Sequence, residues 1–284
     1  MKVLEKLQKK KPTISFEFFP PKTEDQEAHL FQVVSELKKF GPDFASITYG
    51  AMGGTREKTF LWAKKIKDEF DIEPVAHLTC ISATKKSIKK QISELENYGV
   101  TNILALRGDP PSDVPDFIPP ADGFSYAKDL ISYIKGINHH LCLGAAGFPE
   151  SKAPIEYLKQ KIDAGAEYII TQMFFDNNYY FDFVQRCGKA GINVPIIPGI
   201  MPITNLKQIK KITQTCGATI PKDLISDLEK NHDNHGAVLK IGVEHAACQC
   251  RQLLAADVPG LHCFVMNQSG PISAIFRQLG FQGS

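Results

Sequence analysis

Residues 13–48 read TISFEFFPPKTEDQEAHLFQVVSELKKFGPDFASIT, and this stretch decides the fold. Thr13 to Phe18 has the two-residue alternation of a strand: Ser15 and Glu17 share one face, Phe16 and Phe18 the other. After Pro20 and Pro21, Thr23 can cap a helix, with Gln26 as its capping-box partner. Leu30, Val33, Val34 and Leu37 form one apolar stripe, and Gly41 stops it before a second apolar run opens at Asp43.

Further runs start near Glu73, Asn102, Leu141, Tyr168, Val194 and Leu261, most of them about 30 residues apart, the length of a strand, a helix and two loops. Thr84 opens a helix carrying Ile88, Ile92 and Leu95, and Gly99 ends it. Pro154 suits a first helical turn, with Leu158 and Ile162 inward and Gly165 at the end. Alternating strands and helices predict a (β/α)₈ TIM barrel, a single domain over residues 1–284; an open doubly wound sheet is the structural alternative. The long interval between Val194 and Leu261 has room for extra helices before the last strand, near 205–216, 221–231 and 235–254.

With 43% hydrophobic and 23% charged residues, wholesale disorder is excluded. Lys plus Arg outnumber Asp plus Glu by only 33 to 31, which argues against an extended nucleic-acid surface. The basic cluster Lys9, Lys10 and Lys11 reads as a solvated lead-in or the end of an N-terminal helix. Seven cysteines, scattered mostly inside apolar runs, behave like reduced thiols. Met1 to Lys11 lacks the apolar stretch of a signal peptide and no run reaches transmembrane length, so we expect a cytoplasmic protein without membrane contact.

In such a barrel the residues ending each strand form the active rim. Here they are Glu17, Thr48, His77, Arg107 with Asp109, Phe148, Gln172, Pro198 and Asn267. Alternation predicts that Ser46 with Thr48, Val75 with His77 and Ala105 with Arg107 face inward like Ser15 and Glu17. Flanked by aromatic packing, Glu17 sits where a carboxyl can hold a proton near neutral pH, or it is a salt-bridged structural acid. Gly108 lets the backbone approach a ligand, and Asp109 can accept two hydrogen bonds from an aminopyrimidine edge or cap the next turn. Arg107 suits phosphate. His77 is a base, a metal ligand, a cofactor donor or a satisfied core residue. Gln172 offers a heterocycle both donor and acceptor. His245, Cys248 and Cys250 cluster in sequence, but helix residues two apart diverge, so we expect no metal site. No Gly-rich dinucleotide fingerprint and no P-loop is present.

Taken in order, SFEFFPPK (15–22), SITYGA (46–51), HLTC (77–80), LRGD (106–109), DAGAEYIITQ (163–172) and PGIMP (198–202) closely resemble the methylenetetrahydrofolate reductase family, from about Thr13 to Gly280. The resemblance implies FAD-dependent reduction of methylenetetrahydrofolate to methyltetrahydrofolate, with NADH or NADPH as co-substrate taking turns with the folate at one flavin, in one-carbon and methionine metabolism. It implies that Glu17 is the general acid opening the folate's five-membered ring, with Asp109 beside flavin and pterin. FAD contacts would be Thr48, Tyr49, Ala51, His77, Arg107, Gly108, Asp109, Ala127, Phe148 and Lys161; folate contacts would be Asp109, Gln172 and Gln208. It further implies a homo-oligomer and, since the chain stops with the barrel at Ser284, no adenosylmethionine site. Three departures stand out. Phe148 replaces a frequent Tyr, the loop after Glu150 is shortened to Ser151-Lys-Ala-Pro154, and Gln268 stands where relatives often carry Arg. The residues alone leave open a flavin-free transferase or hydrolase using Glu17 and Asp109, and a non-catalytic partner-binding barrel.

Overall fold

The computed structural model describes residues 1–9, 11–48, 56–109 and 118–282. Eight parallel strands close into a barrel in chain order: β1 (Thr13–Phe18), β2 (Phe44–Ile47), β3 (Glu73–Thr79), β4 (Asn102–Leu106), β5 (Cys142–Gly147), β6 (Tyr168–Met173), β7 (Ile196–Ile200) and β8 (Gly260–Phe264). The seam is the β1–β8 pair, in register from Thr13 opposite Gly260 to Glu17 opposite Phe264. A closed barrel replaces the open-sheet alternative.

Before β1 comes α1 (Val3–Lys9); α2 (Glu24–Lys38), α3 (Arg56–Phe70), α4 (Lys85–Asn97), α5 (Ala127–Ile137), α6 (Glu156–Asp163) and α7 (Asn177–Lys189) follow β1 to β6 in turn. Three helices, α8 (Leu206–Cys216), α9 (Lys222–Lys230) and α10 (His235–Ala255), fill the expected interval before β8, and α11 (Ser269–Gln278) follows it. Thr23 caps α2 as expected by accepting the Gln26 amide, but the Gln26 side chain reaches one residue further back, to the Lys22 amide at 2.8 Å.

Strand alternation separates two apolar layers. Outward-facing Phe16 and Phe18 join Leu30, Val34 and Phe276 under the helices, with the Phe16 and Phe276 rings edge to face at 5.5 Å. Inside, the N-terminal mouth is plugged by Val3 and Leu7 of α1 against Phe44, Val75, Leu104 and Tyr168. α1 is thus a core element that ends at exposed Lys9, the N-terminal helix end expected of the basic cluster, and its register is fixed by the Val3 amide donating to Asn102 Oδ1 at 2.8 Å. Above the plug the interior turns polar, with Ser15, Ser46, His77, His262 and Glu17 all buried. Buried polar groups need partners, and these find them in one another.

Candidate active site

Glu17 stands at the centre of that polar layer. Its Oε2 accepts from Ser46 Oγ at 3.2 Å and lies 3.2 Å from His262 Nε2. His77 Nε2 is 3.3 Å away, close enough for charge attraction but out of line for a hydrogen bond, and this buried nitrogen has no other partner. On the far side of His262, Nδ1 lies 2.9 Å from Ser15 Oγ, and that hydroxyl donates to the Leu261 carbonyl. Ser15 therefore has only a lone pair to offer, so Nδ1 carries a proton. It follows that the short contact between Nε2 and Glu17 needs one more proton, which the two groups share.

That arrangement corrects the expectation for Glu17. Burial by itself would push its carboxyl up, but the charge of the nearby His77 imidazole and the hydrogen-bonded His262 imidazole outweigh it and hold the group well below the usual carboxylate range. Phe16 and Phe18, whose packing was expected to favour the neutral acid, lie on the opposite face of β1. Glu17 Oε1 has no hydrogen bond from the described residues, and Glu17 itself lines a cleft of about 750 Å³ at the C-terminal mouth.

His77, Arg107, Gly108, Asp109, Ala127, Phe148, Lys161 and Gln172 line the same cleft. On β4 the expected alternation is shifted: Leu104 joins the interior layer, with Leu106 packed against it, and Ala105 lies under the helices. Arg107 comes after the strand end and is not bound by that alternation; its guanidinium lies 5.7 Å from the Tyr126 ring centroid. Gly108 has φ +81°, and a Cβ there would stand 2.6 Å from Ile81 Cγ2, so backbone handedness and packing already require glycine.

Cations gather on the β4 to β6 side. Lys161 donates to the Ala146 carbonyl at 2.8 Å, lies 5.6 Å from the Phe148 ring centroid, and is lowered to about 8 by burial. Ala127 opens α5, whose N-terminal amides and positive dipole end suit an anion. Phe148, Tyr126 and Tyr157 offer exposed aromatic faces around the opening.

Other expected residues fall elsewhere. Thr48 follows β2 half-buried, its amide donating to the Phe18 carbonyl, and is not among the described cleft walls. Tyr49 and Ala51 lie outside the described residues. Pro198 is buried in the middle of β7 rather than at the rim, because the strand runs on to Ile200. Asn267 clips the seam, its Oδ1 accepting from the Phe19 amide at 2.9 Å and its Nδ2 donating to the Phe19 carbonyl at 3.0 Å. Gln208 occupies a second cleft of about 470 Å³ with Lys207, Lys211, His235 and Gln268. His245 bonds the Phe175 carbonyl and Cys250 is buried in the core.

Comparison with known proteins gives the arrangement a lineage. The family model for methylenetetrahydrofolate reductase matches residues 2–280. The 5,10-methylenetetrahydrofolate reductase of Escherichia coli is 36% identical over 276 residues, covering 94% of this chain and 90% of that protein. Methylenetetrahydrofolate reductase (NADH) 1 of Arabidopsis thaliana is 35% identical over 301 residues, and there the chain spans only 51% of the relative's length. A solved structure described as an uncharacterized protein from Clostridium thermocellum that binds two copies of 5-methyl-5,6,7,8-tetrahydrofolic acid superposes with a TM-score of 0.69 over 96% of each chain; at 17% identity it shows the shared fold. This chain belongs to the methylenetetrahydrofolate reductase family.

Proposed function

We propose that residues 1–284 form one catalytic barrel that reduces 5,10-methylenetetrahydrofolate to 5-methyltetrahydrofolate through FAD, with NADH or NADPH as the electron source. The observation that carries this reading is Glu17, its Oε2 3.2 Å from His262 Nε2, at the floor of a cleft that Arg107 and Lys161 also line. The residues present fit a flavin dinucleotide: unpartnered His77 Nε2 awaits a hydrogen-bond partner inside the cleft, Arg107, Lys161 and the start of α5 suit a pyrophosphate, and Phe148 and Tyr157 offer flat faces. When bound, FAD would take hydride from the nicotinamide and deliver it to the folate's methylene carbon.

The residues' own part is proton management and charge placement. Glu17 takes a proton from His262 at Oε2 and delivers it to the leaving nitrogen of the folate's five-membered ring, while Ser15 holds the imidazole in register. Ser46 keeps Oε2 fixed. Asp109 and Gln172 face the heterocycle, and the Asp109 carboxylate favours the cationic iminium that accepts hydride. Family resemblance alone supports a homo-oligomer and a cytoplasmic location; no helix among the described residues is long and apolar enough to cross a membrane.

An anaerobic visible spectrum tests this reading. NADH or NADPH should bleach the yellow of the FAD-loaded protein, and methylenetetrahydrofolate should restore it. A protein that takes up no FAD, or whose bleached flavin ignores the folate, would overturn the reading.

Lys161 gives a separate expectation. Its ammonium is lowered to about 8, so in the FAD-free protein it loses charge as pH rises through that value. Affinity for FAD, read by quenching of flavin fluorescence, should therefore weaken above pH 8, and Lys161→Met should bind FAD weakly with that dependence removed. An affinity that is flat across this range in the unsubstituted protein would take Lys161 out of cofactor binding.

A further inference from the structure

We infer that Glu150 is a positioning residue: its carboxylate ties the arm formed by α8 and α9 to the turn that carries Phe148, and so sets the folate side of the main cleft against its cofactor side. The effect on folate rests on the reading above; the tie itself does not.

The arm is a unit of its own. Gly217 ends α8 in the left-handed region (φ +75°), the chain passes through Pro221 into α9, and Lys210 joins the two helices by its ion pair with Glu229 at 2.6 Å. The arm packs on a separate apolar cluster at the ends of β6 and β7, where Ile209, Leu224 and Leu228 join Met173, Met201 and Ile203. Methionine side chains are adaptable, so this cluster holds the arm down without fixing where it stands. Phe264 packs against the same cluster and lines the main cleft with Gln172, the neighbour of Met173. A displaced arm is therefore felt at that wall.

One polar tie fixes the arm. Both Glu150 oxygens accept from the Thr219 amide, at 3.1 and 2.9 Å, and among the described residues no other hydrogen bond or ion pair joins 206–230 to the barrel beyond the turns at its own ends. A carboxylate acceptor makes this bond stronger than one between neutral groups. The turn that holds Glu150 is itself well anchored: the Ser151 amide donates to the Phe148 carbonyl at 3.1 Å, and Arg186 on α7 donates to the carbonyl of buried Pro149 at 2.8 Å. Phe148 lines the main cleft, so one short turn presents a flat face to the cofactor and an anchor to the arm.

Hydrogen exchange read by mass spectrometry tests the tie in the FAD-loaded protein without substrate. Glu150→Ala should speed exchange across 217–230 by about tenfold, the equivalent of one hydrogen bond to a charged group, while Glu150→Gln, whose amide oxygen still accepts, should stay within about threefold of the parent protein. In turnover, Glu150→Ala should raise KM for methylenetetrahydrofolate by about three- to tenfold with kcat and flavin reduction by NADH or NADPH unchanged, and Glu150→Gln should recover most of that loss. Unaltered exchange in Glu150→Ala would overturn the tie. Faster exchange with an unaltered KM, or a raised KM that Glu150→Gln does not recover, would overturn the positioning role and leave the reductase reading intact. No folate turnover by the unsubstituted protein would instead overturn the reductase reading and the positioning role with it, whatever the exchange shows of the tie.

Discussion

Glu17→Gln is expected to leave FAD binding and flavin reduction by NADH or NADPH unchanged, while slowing the folate half-reaction by about 10²–10⁴-fold, the usual loss when a general acid is removed. The two halves separate because hydride transfer from the nicotinamide needs no proton from this carboxyl. An amide preserves the shape of the side chain and can still meet Ser46, but it cannot pass a proton from His262 to the substrate. Rapid mixing of each half-reaction checks this directly. If the folate step ran within a few-fold of normal in Glu17→Gln, the proton would have to come from elsewhere and the assignment would fall.

The second large effect is on stability. Gly242 lies in α10 where the helix presses against the backbone after β7: an added Cβ would overlap the Ile203 carbonyl oxygen and stand 2.7 Å from the Ile203 carbon. Backbone cannot rotate away as a long side chain can. Gly242→Ala should therefore cost about 3 kcal/mol, the upper end of overpacking penalties, and lower Tm by roughly 6–12 °C for a chain of this size. A thermal scan within about 1 °C of the parent protein would show that α10 slides freely, contrary to the packing described.

Much of this was readable in the residues. Short apolar runs located all eight strands, which are buried on both faces, and the intervals between them located the helices, including the three before β8. The pattern also took Glu17, His77, Arg107, Asp109 and Gln172 to one rim. What it did not deliver was the environment of Glu17, since partners on β2, β3 and β8 depend on register across the barrel and not on local spacing. His262 was legible and overlooked: in Gly260-Leu-His-Cys-Phe264, Leu261 and Cys263 belong to the outer layer, leaving His262 as a polar residue aimed at the interior. The shift on β4 has a different origin. Ala105 is small enough for either face, and counting back from Arg107 fails because the strand has ended at Leu106. Gln208 belongs to α8, beyond the reach of any rule about strand ends.

The seam between β1 and β8 also sets a schedule for biosynthesis. Glu17 and His262 are 245 positions apart, and Ser15 meets Leu261 at a separation of 246, so these contacts cannot form until the eighth strand has left the ribosome. Until then the first strand waits with an unpaired edge and an acid that has not yet met its imidazole. The acid and its imidazole are thus among the last partners the barrel acquires, and their meeting marks the moment at which closure and chemical competence coincide.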